Sequence, residues 1–183
     1  MHNIIQSGER LLAMVEGILS YTHVATGDVQ LQPERCELAP LLAAAADNIA
    51  HRREQKQQTL TIVVDPPELA VATDRAGLTT VLDRLLDNAV KFTPTGGALG
   101  LDACRVPEGI QIAVWDNGIG IGPDHLAKVT EPFTQADSRL ARAYEGAGLG
   151  LAYVTQMLDL LGGRLDVESN LGVGSRFVVT LPA

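Results

Sequence analysis

The chain has 183 residues, which suits one domain of ordinary size plus an appendage, and 46% of them are apolar, enough for a real core. Aromatic residues make up only 4%, so that core has to be aliphatic, built from Leu, Val, Ile and Ala. The formal net charge of −8 describes a surface that repels nucleic acid and anionic lipid, which sets both aside as main partners; a polyanion would need a metal ion and a local cluster of cationic and backbone N–H groups.

Residues 4–22 read as a helix. Ile4, Leu11 and Ile18 recur every seven residues, flanked by Ile5, Leu12, Val15 and Leu19, a broad apolar stripe of the kind found in bundles and coiled coils. One helix cannot bury such a stripe alone. We read it as a dimer interface, the alternative being packing onto the chain's own domain. Residues 25–28 end the helix, and Pro33 sits in a linker over residues 29–36. A second helix is predicted over 38–57, then short strands over 60–64 and 70–73. Asp74 is a plausible N-cap for a helix that runs to Lys91. Residues 93–97 form a loop. Strands over 98–105 and 110–115 flank Pro107-Glu108-Gly109, a hairpin turn. A Gly-rich segment and a short helix over 124–131 follow. A long polar stretch, 135–146, precedes a helix over 149–161. Two final strands, 164–168 and 176–181, are joined by a turn over 170–174.

Strands joined mainly by hairpins, with helices between pairs, predict an α+β sandwich: a mixed sheet covered by helices on one face. The two cysteines, Cys36 and Cys104, are far apart and form neither a disulfide framework nor a zinc spacing. No apolar run reaches the ~18 residues of a membrane span, and Met1-His2-Asn3 opens no secretion signal. The expectation is a cytoplasmic chain without direct membrane contact, or the cytoplasmic part of a longer membrane protein.

Three segments carry chemistry. Asp116-Asn117-Gly118-Ile119-Gly120-Ile121 follows a strand. A carboxylate there can accept a hydrogen bond from an exocyclic amine such as that of adenine, and glycines let backbone approach a flat ring; a polar turn explains the same residues. Gly146-Ala147-Gly148-Leu149-Gly150 opens a helix, where free N–H groups bind phosphate. It is neither a Walker A loop, lacking Gly-Lys-Ser/Thr, nor a Rossmann fingerprint, since its third glycine comes one residue too soon; a flexible hinge is the alternative. Asn88 and Lys91 share a helix face at i, i+3, with Phe92 beside them. An amide oxygen can ligate Mg²⁺ and a lysine can neutralise phosphate charge, although a solvated helix end looks the same.

The order of these segments is more specific than any one of them. Arg84-Leu85-Leu86-Asp87-Asn88-Ala89-Val90-Lys91-Phe92-Thr93-Pro94 is followed by Asp116 to Ile121, then Glu131-Pro132-Phe133, then Gly146 to Leu151, then Gly172-Val173-Gly174-Ser175-Arg176-Phe177. This run closely resembles the successive N, G1, F, G2 and G3 boxes of the histidine-kinase catalytic domain, within the gyrase, Hsp90, histidine kinase and MutL ATPase superfamily. The resemblance covers roughly residues 37–182. It implies a two-layer α/β sandwich of the Bergerat type, with ATP as substrate and Mg²⁺ as cofactor.

By that resemblance Asn88 holds Mg²⁺, Lys91 lies near the phosphates and Phe92 lies beside the nucleotide. Asp116 binds adenine, supported by Gly118 and Gly120. Phe133 marks the start of a mobile lid over 135–146, Arg142 is a basic lid residue that approaches the γ-phosphate, and Gly146, Gly148 and Gly150 flank the triphosphate. Ile121 and Leu149 complete the implied nucleotide contacts; Asn88, Lys91 and Arg142 are the implied catalytic residues. Residues 1–28 resemble the second helix of the family's dimerisation hairpin, and 37–183 the ATP-binding domain. The first hairpin helix, with its phosphoacceptor histidine, has no counterpart here. His2, His23, His51 and His125 lack the acidic neighbour and later proline of that motif, so the expectation is a fragment of a larger kinase.

Two positions depart from the pattern. Arg84 stands where many members have asparagine, four residues before Asn88, and Ala147 stands where threonine is common. The implied function is donation of the γ-phosphoryl group to a histidine of a dimeric two-component kinase, for onward transfer to a response-regulator receiver domain. An ATP-driven machine of the gyrase or Hsp90 kind would have a water-activating glutamate at position 84, and arginine argues against it. A degenerate kinase acting as a nucleotide-binding or dimerising scaffold is the third reading, which Arg84 and Ala147 keep open.

Overall fold

The computed structural model describes residues 2–27, 29–134 and 148–182. The long N-terminal helix α1 (His2–Ala25) leads to β1 (Pro33–Glu37), α2 (Leu38–Asn48) and α3 (Ala50–Gln55). Then come β2 (Thr59–Asp65), β3 (Ala70–Asp74), α4 (Arg75–Phe92) and the hairpin β4 (Ala98–Val106) and β5 (Gly109–Asp116). The short α5 (Pro123–Leu126), α6 (Gly150–Leu160) and the hairpin β6 (Arg164–Asn170) and β7 (Gly174–Leu181) complete the described chain.

The main sheet has five strands in the order β2-β4-β5-β7-β6. Only β2 and β4 are parallel, because the chain between them crosses over through β3 and α4; the other pairs are antiparallel. Alternation sets the two faces. Leu99, Leu101 and Ala103 of β4, Ile110, Ile112 and Val114 of β5, and Phe177, Val179 and Leu181 of β7 point to one face and are buried. α2, α4 and α6 cover that face. α4 contributes Leu78, Val81, Leu82, Leu85, Leu86 and Ala89, a helical stripe that the structure buries completely. Each such large aliphatic side chain stabilises the fold by about 1.5–3 kcal/mol relative to exposure. The opposite face carries an ion pair between Arg176 and Asp102 at 3.0 Å, and the Trp115 ring fills the space over Gly100. The α+β sandwich with helices on one face is the architecture expected from the sequence.

Asp74 caps α4 as expected: its Oδ1 accepts the Gly77 N–H at 2.7 Å, and its Oδ2 accepts the Gln32 N–H at 2.7 Å. Three local expectations change. Residues 33–36, read as the end of a linker, belong to β1, which pairs antiparallel with β3 in a separate two-stranded sheet. Only Cys36 of that strand is buried, so its sequence shows no alternation; the partner strand makes it. β2 and β3 are therefore not a hairpin with each other. The helix expected over 38–57 breaks at Ile49, which stays buried and lets the polar α3 turn away from the core. The helix expected over 124–131 stops at Leu126, because no residue of that stretch is buried and so little packing holds further turns.

The C-terminal part of α1 packs on the domain. Val24 joins the core, and Gly17 faces Leu149, whose Cδ1 would lie 3.7 Å from an added Cβ. Elsewhere on the helix, Leu11, Leu12, Met14, Val15, Ile18 and Leu19 are exposed. Among the described residues, no helix is long and apolar enough to cross a membrane.

Candidate functional site

The C-terminal end of β5 carries a carboxylate withdrawn from water. Asp116 is 8% exposed. Its Oδ1 accepts the Gly118 N–H at 2.8 Å, and the Ser175 backbone N–H also supports the carboxylate. Burial pushes its pKa above the ordinary 3.8, against the pull of those two hydrogen bonds. A desolvated carboxylate with lone pairs to spare is a strong acceptor for an amine.

The loop after Asp116 is fixed on three sides. Asn117 both donates its N–H to the Ala98 carbonyl at 3.0 Å and accepts the Ala98 N–H on Oδ1 at 2.8 Å. Ile119 donates to the Phe92 carbonyl at 3.2 Å, which ties the loop to the end of α4. From the other side, Gly172 donates to the Ile119 carbonyl at 2.7 Å, and the Ser169 hydroxyl accepts the Ile121 N–H at 2.8 Å while donating to Gly174 O at 2.9 Å. Gly118 sits so close that a Cβ would lie 2.7 Å from Asp116 Oδ1. Gly120 has φ +65° and runs against the Asn170 backbone, so only glycine fits without strain.

At the end of α4, Asn88, Lys91 and Phe92 are all half-buried. The Lys91 ammonium lies 4.9 Å from the Phe92 ring centroid. Burial lowers the Lys91 pKa from 10.5, and the Asp87 charge opposes that shift. Among the described residues, no hydrogen bond engages the Asn88 side chain, which leaves its amide oxygen available as a ligand. No group of three or more His, Cys, Asp or Glu that could hold a metal occurs among those residues. A lone amide suits a hard ion such as Mg²⁺, which keeps several waters and takes its remaining ligands from phosphates.

The α4 terminus is held by two residues that the sequence reading did not single out. Lys56 Nζ donates to the carbonyls of Val90, Lys91 and Thr93 at 2.7, 2.9 and 3.2 Å. Gln58 Nε2 donates to Val90 O at 3.1 Å and Thr93 O at 2.7 Å. Together they satisfy the orphan carbonyls of the last turn. Burial lowers the Lys56 pKa. Neither residue belongs to a motif, and each lies over thirty residues from its acceptors, so no local signal could have found them.

The glycine turn comes third. Gly148 has φ +69°, and a Cβ there would fall 2.9 Å from Thr134 O. Its carbonyl accepts the Phe133 N–H at 3.0 Å, so the residues on either side of the 135–147 segment meet. Phe133 itself is exposed. Leu149 is buried and Gly150 begins α6, whose first N–H groups lack intrahelical acceptors. Arg142, Gly146 and the expected lid over 135–146 lie outside the described residues. Two surface hollows, of about 420 and 510 Å³, are lined by Arg35, Glu68 and Arg105 and by Leu19, His23 and Tyr153. Neither contains Asp116, Asn88 or Gly148.

The structure thus gathers Asp116, Gly118, Gly120 and Ile121 into one pinned loop, joins that loop to Asn88 and Lys91 through Phe92, and sets Phe133 against Gly148 on the flank of α6. Residues 73–183 match the family model described as histidine kinase-, DNA gyrase B-, and HSP90-like ATPase. The chain is similar to the sensor histidine kinase AtsR of Burkholderia thailandensis, at 35% identity over 96% of this chain and 30% of that protein. It is also similar to the circadian input-output histidine kinase CikA of Thermosynechococcus vestitus, at 36% identity over 98% of this chain and 25% of that protein. Among solved structures, full-length ShkA in complex with AMPPNP matches with a TM-score of 0.84 and 30% identity, over 97% of this chain and 37% of that one. The chain therefore spans about a third or less of the length of these relatives. It belongs to the histidine kinase-, DNA gyrase B- and HSP90-like ATPase family and carries the ATP-binding catalytic domain of a sensor histidine kinase.

Proposed function

We propose that this chain binds Mg·ATP and donates its γ-phosphoryl group to a histidine of a dimeric two-component sensor kinase, which passes it to an aspartate of a response-regulator receiver domain. Asp116 accepts the adenine amine, with Gly118, Gly120 and Ile121 forming the surface against the ring and Phe92 lying beside the nucleotide. The first N–H groups of α6 cradle the phosphates, with Gly146, Gly148, Leu149 and Gly150 as the residues flanking the triphosphate. Asn88 would hold Mg²⁺, which when bound neutralises phosphate charge. Lys91 adds a cation, Phe133 begins the lid, and Arg142 approaches the γ-phosphate. Catalysis is then mostly positioning and charge neutralisation.

The observation that carries this reading is the Asp116 carboxyl group, buried and pinned at a strand end with acceptor capacity left over. The exposed apolar residues of α1, Leu11, Leu12, Met14, Val15, Ile18 and Leu19, support pairing of this helix within a kinase dimer. The reading assigns the chain to the cytoplasm, where ATP is abundant.

The test uses γ-labelled ATP. The chain is expected to bind Mg·ATP, to leave His2, His23, His51 and His125 unlabelled, and to label the phosphoacceptor histidine of an added two-helix hairpin from its kinase. Labelling of any of the four would overturn the assignment of an external acceptor. Failure to bind ATP would favour the degenerate scaffold.

A further inference from the structure

Arg84 is a cation that the site described so far does not use. It lies on α4 one turn before Asn88, on the same face. Its guanidinium carbon stacks 4.1 Å from the centroid of the Tyr153 ring. Tyr153 is buried in the first turn of α6, its N–H bonded to the Leu149 carbonyl at 2.9 Å. The contact therefore joins the helix bearing Asn88 to the helix that opens with the glycine turn. The acids beside Arg84 are engaged elsewhere: Asp83 accepts from Asn48 at 3.0 Å, and Asp87 pairs with Arg52. Among the described residues, no carboxylate forms an ion pair with Arg84, and its buried Nε has no hydrogen-bond partner.

A guanidinium left unneutralised in a half-buried position is costly unless some other negative charge completes it. Stacking on an aromatic face fixes its plane and leaves the edge donors free for an anion. The anion expected between the Asn88 turn and the start of α6 is the terminal phosphate of the nucleotide.

We infer that Arg84, held by Tyr153, is a positioning residue for the γ-phosphate that makes the site favour nucleoside triphosphate over diphosphate. This rests on the nucleotide-site reading above. It gives position 84 a use of its own, where the sequence alone suggested only a departure from the family pattern.

The test compares ATP and ADP affinity by calorimetry, with Mg²⁺, for the unaltered chain and for Arg84→Met, Arg84→Gln, Arg84→Lys and Tyr153→Phe, with thermal unfolding recorded for each. Loss of a charge-assisted hydrogen bond predicts that Arg84→Met and Arg84→Gln bind ATP about tenfold to a hundredfold more weakly, with ADP changed much less. Arg84→Lys should recover part of the loss, and Tyr153→Phe, which keeps the ring, should resemble the unaltered chain. The ATP penalty should also shrink as salt is raised. Equal losses for ATP and ADP, or unchanged affinities with a lowered unfolding temperature, would show that Arg84 only clamps α4 to α6. If Arg84→Met fails to fold, the Gln and Lys variants decide by the same ratio. If the unaltered chain binds neither nucleotide, the site reading itself falls, and this inference with it.

Discussion

The two ends of the candidate nucleotide site are held by different means. At the Asp116 end, the loop is stitched to β4, to the end of α4 and to the β6–β7 turn by backbone and short side-chain bonds, and its carboxylate is almost fully buried. At the other end, Asn88, Lys91 and Gly150 sit half-buried at helix termini, and α4, which bears the first two, is anchored from outside by Lys56 and Gln58. The lesson is a division of labour. On the proposed reading, a rigid, desolvated loop would recognise an unchanging base, whereas helix ends would present charge and N–H groups to a group that has to be transferred and released.

The most severe way to break this contrast is Asp116→Asn. It should weaken ATP and ADP alike by about a hundredfold, since both share the base and the charge-assisted contact is lost. Calorimetry giving unchanged affinity for either would remove Asp116 from the adenine site. Asn88→Ala should act at the other end only, lowering Mg²⁺-dependent ATP affinity about tenfold while ADP is less affected; equal losses with Mg²⁺ dependence intact would move the metal elsewhere.

Lys56→Met should sharpen the comparison by loosening one end without touching nucleotide. It removes one donor from each of three carbonyls of the α4 terminus, of which Val90 and Thr93 keep Gln58, a cost of about 1–3 kcal/mol in stability. Denaturant unfolding reads that cost, and ATP affinity should fall only several-fold. An unchanged unfolding midpoint would mean that water replaces the ammonium freely.

The smallest effect is a pH dependence. The Asp116 pKa is raised above 3.8 by burial, and the ionised form is the one that accepts an amine. Nucleotide affinity should therefore begin to fall, as pH is lowered, above the usual carboxylate range, and Asp116→Asn should lack that inflection. The sign for stability is opposite. A raised folded pKa stabilises the fold fully below 3.8 and loses that contribution as pH rises through the folded value. Above that value the buried charge opposes folding, and there Asp116→Asn should unfold at an equal or slightly higher temperature in the absence of nucleotide. A clearly lower unfolding temperature would mean that the bonds from Gly118 and Ser175 outweigh burial.

Much of this was legible in the sequence. Asp74 as an N-cap, the helix that it opens, the β4–β5 and β6–β7 hairpins and the fold class all follow from periodicity, capping and turn chemistry, which act over a few residues. Asp116, Asn88 and the glycines could be named because their spacing is specific as a set, even though each has an ordinary explanation alone. Tertiary structure alone decided the rest. β1 exists because β3 offers its edge to a segment with a single buried side chain, and the 38–57 helix breaks where Ile49 must stay in the core. Lys56 and Gln58 reach carbonyls more than thirty residues away, and Arg84 stacks on a tyrosine of another helix. Local pattern is written in neighbouring residues, but the pairing of strand edges, helix ends and unneutralised charges depends on which distant groups the finished fold brings within reach.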